Sequence, residues 1–228
     1  MKTEIVIFGT GEIAELAHYY ITNDSNYSIV AFTADKEFIK SDRFLNKPLI
    51  PFDIIQNEYP PSKYKMHVAL SYNKLNLIRE IKYNEAKKKG YSLISYISSK
   101  SVFWNDLSYG DNCFILENQT IQPKVKIGNN VMIWSGNHLG HGCEIKSHTY
   151  LSSHICISGH TIIGERCFVG VNSTFKDFIE IGDRVFIAMG ALVTKDIPSD
   201  SVILGSRSSF LDKEDKIAKK IKKIYFNI

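Results

Sequence analysis

The sequence predicts an α/β domain followed by a parallel β-helix, and three patterns in its 228 residues support this fold class. The first is an apolar residue at every sixth position over fourteen consecutive positions, from Ile115 to Val193. The second is an N-terminal strand, glycine-rich turn and helix. The third is a basic amphipathic segment at the C-terminal end, which follows a break in the repeat.

The period of six fits neither an α-helix, which repeats about every 3.6 residues, nor a simple strand. It is typical of a parallel β-helix, in which each short strand is followed by a corner and three hexapeptides close one triangular coil. A second inward position follows each large apolar residue by four and is mostly small or apolar, with Asn137 as the main polar exception. We therefore predict a β-helix over residues 105–205, preceded by a connector over 91–104.

Residues 1–95 predict one β-α-β half of a doubly wound sheet, that is, a half-Rossmann domain. The predicted elements are, in order, a strand over Glu4–Phe8, a helix over Ala14–Ile21, strands over Ser28–Thr33 and His67–Leu70, and a helix over Asn73–Lys89.

The turn after the first strand reads G-x-G-x-x-A, a phosphate-cradling pattern. Gly9 makes the turn, and Gly11 lets a phosphate approach the helix N-terminus. Asp35, near the end of the second strand, is placed to bind a ribose hydroxyl. A domain of this size suits one nucleotide diphosphate, such as the handle of a nucleotide-linked sugar, and a tight turn without a ligand is the alternative.

Composition argues against several classes of protein. No apolar run approaches the roughly 18 residues that span a bilayer, and the N-terminus lacks the apolar region of a signal peptide, so we expect a cytoplasmic protein. The four cysteines show no paired metal spacing, and the formal net charge of +4 is too small to indicate nucleic-acid binding.

Residues 206–228 are predicted as a separate tail with an amphipathic helix. Ile217, Ile221, Ile224 and Ile228 share one helical face, with five lysines among them. Packing of this helix on its own protein is the favoured interpretation, and weak attachment to an acidic membrane surface is the alternative.

Five of the seven histidines lie within residues 138–160. No two of them are 18 residues apart, so none is expected to stack on an adjacent coil, and we expect no metal site within one chain. His141 differs, because it follows a corner and lies between Gly140 and Gly142. An imidazole there projects from the coil and suits a general base.

These features resemble the sugar acyltransferases, which include the bacillosamine-type and perosamine-type N-acetyltransferases and relatives of the sialic acid O-acetyltransferase. Residues 139–145 resemble the catalytic strand of that family, 159–173 the stretch that follows it, and 181–197 the late acyl-CoA-binding coils. The resemblance implies a left-handed β-helix and a homotrimer with acetyl-CoA, but no metal, in the groove between neighbouring subunits.

The resemblance also implies roles for single residues. His141 would be the base, and many relatives carry Glu directly after it, where this chain has Gly142. Asn137 or a neighbouring subunit is therefore expected to orient the ring. The pantetheine arm would contact Gly159, Ala188 and Met189, the nucleotide would lie near Gly9, Gly11, Asp35 and Asn73, and Arg207 is a further candidate for a CoA phosphate.

The function implied is transfer of an acetyl group from acetyl-CoA to the amine of a nucleotide-linked amino-deoxy sugar for surface glycan assembly, with an oxyanion held by the Gly159 N–H. Three alternatives remain. They are a sugar O-acetyltransferase of the polysaccharide or sialic acid type, a non-catalytic nucleotide-sugar-binding protein, and a metal-dependent β-helix hydratase.

Overall fold

The computed structural model describes residues 2–205 and 209–227. Its N-terminal sheet contains the strands β1 (Thr3–Phe8), β2 (Tyr27–Ala34), β3 (Arg43–Phe44), β4 (Lys47–Pro51) and β5 (Lys65–Val68). Their order is β3-β4-β2-β1-β5, and every pair is parallel except the β3–β4 hairpin. The helices are α1 (Glu12–Asn23), α2 (Ile55–Glu58) and α3 (Leu77–Lys88), with a 3₁₀ turn over Lys36–Phe38.

This domain contains the five predicted elements with shifted bounds, and it adds the β3–β4 hairpin, the 3₁₀ turn and α2, which were not predicted. The helix α3 begins at Leu77 rather than Asn73, because Lys74, Leu75 and Asn76 have φ values of 51°, 51° and 64°, which a right-handed helix does not contain. The strand β4 was not predicted, because prolines at both ends of its segment disfavour a strand.

The second part is a left-handed parallel β-helix with three faces. Face 1 contains β6 (Tyr96–Ile97), β8 (Phe114–Ile115), β11 (Met132–Ile133), β14 (Tyr150–Leu151), β17 (Phe168–Val169), β20 (Phe186–Ile187) and β22 (Val202–Ile203). Face 2 contains β9 (Thr120–Ile121), β12 (His138–Leu139), β15 (Cys156–Ile157), β18 (Thr174–Phe175) and β21 (Leu192–Val193). Face 3 contains β7 (Ser108–Tyr109), β10 (Lys126–Ile127), β13 (Glu144–Ile145), β16 (Ile162–Ile163) and β19 (Glu180–Ile181).

The interior of the β-helix follows the six-residue period. All fourteen residues of the series are at most 4% exposed. The first eleven, Ile115 to Phe175, each pair with the residue 18 positions further on, as Ile127 does with Ile145. At the end of the repeat the spacing shortens to 16, since Ile181 bridges Ile197 and Ile187 pairs with Ile203. Pairing begins earlier than residue 105, because β6 already pairs with β8 and Val102 bridges Thr120. The segment predicted as a connector therefore contains the first coil strand.

Polar contacts fix the N-terminal domain on face 1 of the β-helix. Asn112 Oδ1 accepts the Val68 backbone N–H at 2.7 Å, and Asn112 Nδ2 donates to the Val68 carbonyl at 3.2 Å. Arg79 Nη2 donates to the His148 and Thr149 carbonyls at 3.0 and 3.2 Å. Burial lowers the pKa of Arg79 to about 10, so its guanidinium stays charged at neutral pH. These contacts hold the carboxyl end of β5, which lies beside β1 in the sheet, close to the coils of the β-helix.

The C-terminal helix α4 (Lys216–Phe226) buries none of its residues. Within the single chain, α4 therefore lacks the packing that was expected, since Ile217, Ile221 and Ile224 are 59%, 43% and 65% exposed. Ile228 and Arg207 lie outside the described residues. Within 2–205 and 209–227, every helix is too short or too polar to be a membrane span.

Candidate active site

His141 lies in the corner that leads from face 2 to face 3, between β12 and β13. Four side chains from successive coils meet along this edge, which we call the histidine corner, and they are Gln122, His141, His160 and Phe178. The His141 and His160 ring centroids are 4.9 Å apart with the rings at 89°, and His160 stacks on Phe178 at 4.9 Å and 10°. His141 is exposed, so its ring is accessible to a ligand in the single chain.

The contact between His141 and His160 corrects the expectation that no histidines stack. They are 19 residues apart rather than 18, but both stand in a corner, where the side chains are not bound to the register of the strands. His160 has a φ of +59°, and its ring lies back against the preceding coil. A Cβ on Gly142, which has a φ of +68°, would lie 2.7 Å from His160 Nδ1. A glutamate at position 142 would therefore displace the His160 ring and strain the backbone.

The group beside the His141 ring is Gln122, which was not among the predicted site residues. Gln122 Oε1 accepts the His141 backbone N–H at 2.8 Å and lies 3.3 Å from His141 Nδ1. Asn137, the predicted orienting residue, is only 1% exposed and points into the coil. Its Oδ1 accepts the Ile155 backbone N–H at 2.7 Å, and its Nδ2 donates to the Trp134 carbonyl. Asn137 therefore stabilises the coil and has no atom free for His141.

Gly159 forms the other side of the His141 environment, one coil further on. An added Cβ would lie 2.7 Å from His141 Cε1 and 3.0 Å from both ring nitrogens. Any other residue at position 159 would therefore displace the imidazole. Among the described residues, the Gly159 N–H donates to no backbone carbonyl, so it is available for a ligand.

Ala188 and Met189 lie in a different corner, between β20 on face 1 and β21 on face 2. Met189 is 71% exposed, whereas the Ala188 N–H already donates to the Ile203 carbonyl at 2.8 Å. Face 2 separates this corner from the histidine corner of the same chain. The structure therefore does not bring Ala188 and Met189 together with His141 and Gly159 within one subunit.

The predicted nucleotide-binding residues follow the carboxyl ends of neighbouring parallel strands, where open α/β sheets bind ligands. Gly9 is required by packing, because an added Cβ would lie 2.6 Å from the Ala69 carbonyl oxygen. Gly11 is exposed, and an added Cβ there would meet nothing within 4 Å. Asp35 already has a partner, because Lys82 Nζ lies 2.8 Å from its Oδ1. Asn73 is exposed in the loop after β5.

Two histidines outside the corner lie where the domains meet, His67 fully buried and His148 half-buried. Desolvation lowers the pKa of His67 to about 4, and its Nδ1 lies 3.1 Å from the Ile94 carbonyl oxygen. Desolvation, together with the charge of Arg79, lowers the pKa of His148 to about 4. Within the described residues, no three His, Cys, Asp or Glu side chains are grouped to hold a metal ion.

Known proteins match this chain mainly in its hexapeptide repeat. Residues 160–195 match the family model described as the hexapeptide repeat of succinyl-transferase. The UDP-3-O-acylglucosamine N-acyltransferase of Bordetella avium is 37% identical over 97 residues, which are 41% of this chain and 25% of that protein. The bifunctional protein GlmU of Streptococcus pyogenes is 26% identical over 144 residues, 55% of this chain and 31% of GlmU. The chain thus spans about a quarter to a third of these curated relatives.

Solved structures match both domains. PerB from Caulobacter crescentus, solved with CoA and GDP-perosamine, has a TM-score of 0.79 and 20% identity, and the match covers 92% of this chain and 97% of PerB. The acetyltransferase domain of PglB from Neisseria gonorrhoeae, solved with acetyl coenzyme A, has a TM-score of 0.76 and 20% identity over 92% and 100% of the two chains. Residues 160–195 therefore match a hexapeptide-repeat family model, and the chain shares the fold of PerB and of the PglB acetyltransferase domain. The resemblance predicted from the sequence is confirmed at the level of the fold.

Proposed function

We propose that this protein is an acetyl-CoA-dependent acyltransferase that acetylates the amine of a nucleotide-linked amino-deoxy sugar. The proposal rests on one observation: the exposed His141 ring lies between Gln122 and Gly159 at an open corner of the coil. A relative that matches the repeat is an N-acyltransferase, and two structures that share the fold, PerB and the PglB acetyltransferase domain, were solved with CoA and with acetyl coenzyme A. In this proposal the acetyl donor lies along the corner, beside the imidazole.

The placement of the two corners supports a site shared between subunits. His141 and Gly159 lie on one edge of face 2, and Ala188 and Met189 lie on the other. In a homotrimer, a neighbouring subunit would bring its Ala188 and Met189 to the histidine corner of this chain. The acetyl-CoA groove would then be formed by both subunits, and a monomer would hold only half of it.

The reaction is a direct transfer. The acceptor nitrogen attacks the thioester carbonyl carbon, and an N–C bond forms while the negative charge moves to the carbonyl oxygen. The Gly159 N–H donates to that oxygen. His141 Nε2 takes the proton that the nitrogen loses, the C–S bond breaks, and the CoA sulfur leaves as a thiolate that takes up a proton. Base catalysis of this kind contributes about 10²–10⁴-fold.

Gln122 is assigned a positioning role in this mechanism. When Nδ1 carries the ring hydrogen and donates it to Gln122 Oε1, the lone pair of Nε2 is left to accept a proton. Gln122 is neutral, so it stabilises the imidazolium less than a carboxylate would. An amine needs less help from a base than a hydroxyl does, so this environment favours the amine as acceptor.

The nucleotide is assigned to the edge formed by the ends of β1, β2 and β5. Gly11 leaves open space at the N-terminus of α1, where free backbone N–H groups and the helix dipole favour a phosphate. Asp35 would bind a ribose hydroxyl while it remains paired with Lys82. Asn73 lies on the neighbouring loop, within the same edge.

The proposal is tested by incubating the protein with acetyl-CoA and a panel of nucleotide-linked amino sugars, with their hydroxy counterparts as matched acceptors. Release of free thiol with an amino sugar, together with an acetamido product seen by mass spectrometry, is the expected result. Product from the hydroxy sugars alone would favour O-acetylation instead. Binding of the sugars without thiol release from any acceptor would point to a non-catalytic binding protein.

A further inference from the structure

The helix α4 has two unlike sides. Ile217, Ile221 and Ile224 lie within one helical stripe and are 59%, 43% and 65% exposed. The rest of the circumference is dominated by lysines, because the helix sequence KIAKKIKKIYF contains five lysines and no acidic residue. An apolar stripe that stays in water is unfavourable, so this stripe requires a partner that also accepts a strongly basic neighbour.

The helix is defined by its own residues. Asp215 caps its first turn, since its side chain accepts the Ile217 backbone N–H at 2.7 Å. Lys219 pairs with Glu214 at 2.7 Å, and both side chains are more than half exposed. These contacts shape the segment locally and leave its isoleucine stripe uncovered. The site of acetyl transfer does not include α4, so an interaction of this helix is independent of the proposed function.

We propose that α4 docks on an anionic membrane surface and lies flat in the interface between headgroups and acyl chains. Such a surface satisfies both sides of the helix, because the isoleucines enter the apolar boundary and the lysines meet anionic headgroups. The helix is about 16 Å long, which is too short to cross a bilayer. Tyr225 and Phe226, both exposed at its end, are residues that membrane interfaces accommodate well.

Charge selects a membrane over a second copy of this chain. A second α4 would cover the isoleucines, but it would bring five lysines towards five others, and like charges at close range are unfavourable. Anionic lipids remove that repulsion and add attraction. The attachment is expected to be reversible and salt-sensitive, because a single short helix buries little apolar area.

The test is co-sedimentation of the full chain with vesicles of phosphatidylcholine, with or without about 30 mol% phosphatidylglycerol, at low and high salt. Binding to the anionic vesicles alone, weakened by salt, is expected. Reversal of three charges (Lys219→Glu, Lys220→Glu and Lys223→Glu) should weaken binding at least about 100-fold, because each lysine near the surface contributes about 5-fold in affinity. The matched control with arginine at those three positions should bind within about 2-fold of the wild type.

Ile221→Asp separates the apolar contribution from the charge, and it should weaken binding more than Ala218→Asp, which carries the same charge on the edge of the stripe. Circular dichroism and acetyl transfer to a soluble acceptor should be unchanged in all variants. Failure of the wild type to bind anionic vesicles at low salt would overturn the proposal. Equal binding by the wild type and the charge-reversed variant would also overturn it. A third contrary result would be an oligomer that dissociates when residues 213–228 are removed, in a protein that does not bind vesicles.

Discussion

The β-helix and the N-terminal domain build their interiors differently, and the difference decides where chemistry can occur. In the β-helix one inward residue stacks on the same position of the next coil, as Ile157, Phe175 and Val193 do, which leaves the interior closed. Its only accessible positions are the faces and corners. The N-terminal domain instead packs helices on a parallel sheet, whose strand ends remain open to a ligand. We therefore assign the reacting groups to a corner and the nucleotide to a strand edge.

The largest stability effect is expected from a cavity in the β-helix. Phe175 and Phe32 are both fully buried, and Phe→Ala typically costs about 3–5 kcal/mol. Phe175→Ala should lie at the upper end, because coils on both sides are fixed by strand pairing. Phe32→Ala should cost less, because the Phe44 ring, 4.9 Å away on the short β3 hairpin, can move into the space. Urea unfolding measures both losses, and a larger loss for Phe32→Ala would contradict this comparison.

Two glycine variants distinguish the roles of the two regions. Gly159→Ala should lower kcat by at least about 10²-fold, because the new Cβ displaces the His141 ring from its working geometry. Gly11→Ala has open space around it, so it should raise the KM for the nucleotide-linked sugar and leave kcat nearly unchanged. Steady-state kinetics on both variants tests this division. If kcat fell in Gly11→Ala and not in Gly159→Ala, the assignment of the two regions to substrate binding and chemistry would be reversed.

The histidines at the contact between the two regions should make the free energy of unfolding depend on pH. The pKa of His67 is lowered to about 4 in the folded protein by burial, whereas a histidine in the unfolded chain titrates near 6.5. Between these values the unfolded chain binds more protons, so the free energy of unfolding falls as the pH falls. The slope due to His67 is at most about 1.4 kcal/mol per pH unit. The half-buried His148, whose pKa is also lowered, acts in the same direction.

Urea titrations between pH 7 and pH 4.5 measure this slope. His67→Asn should reduce it, because the replacement cannot take up a proton. His154→Asn changes an exposed histidine and serves as the matched control, so it should leave the slope as it is. A slope that does not change in His67→Asn would show that other groups govern the acid sensitivity.

The smallest effect is expected from Gln122→Glu. A carboxylate beside Nδ1 favours the charged imidazolium, so the acidic limb of the kcat/KM profile should move to higher pH by about one unit. Gln122→Asn keeps the amide but shortens its reach, and it should lower kcat without that pH shift. If the kcat/KM profiles of the wild type and Gln122→Glu coincide, Gln122 does not position the His141 ring.

The interior of the β-helix could be predicted from sequence because its period is rigid, and the fourteen buried positions agree with it. The corners could not, because side chains there can reach residues outside the 18-residue register. That is why Gln122, 19 residues before His141, was missed and why the His141–His160 contact was not expected. Asn137 was wrongly predicted to orient His141. It stands at the second inward position of its hexapeptide, so its amide lies inside the coil. Whether α4 packs on the chain depends on tertiary contacts that its local pattern does not contain.

The assignment of His141 as the base is tested most directly by the kcat of His141→Asn, measured by thiol release at saturating acetyl-CoA and acceptor. The expected loss is about 10²–10⁴-fold, with an unchanged circular dichroism spectrum and a CoA affinity within a few-fold of the wild type. The control His154→Asn should keep its full rate. A His141→Asn variant that turns over at nearly the wild-type rate would show that His141 is not the base.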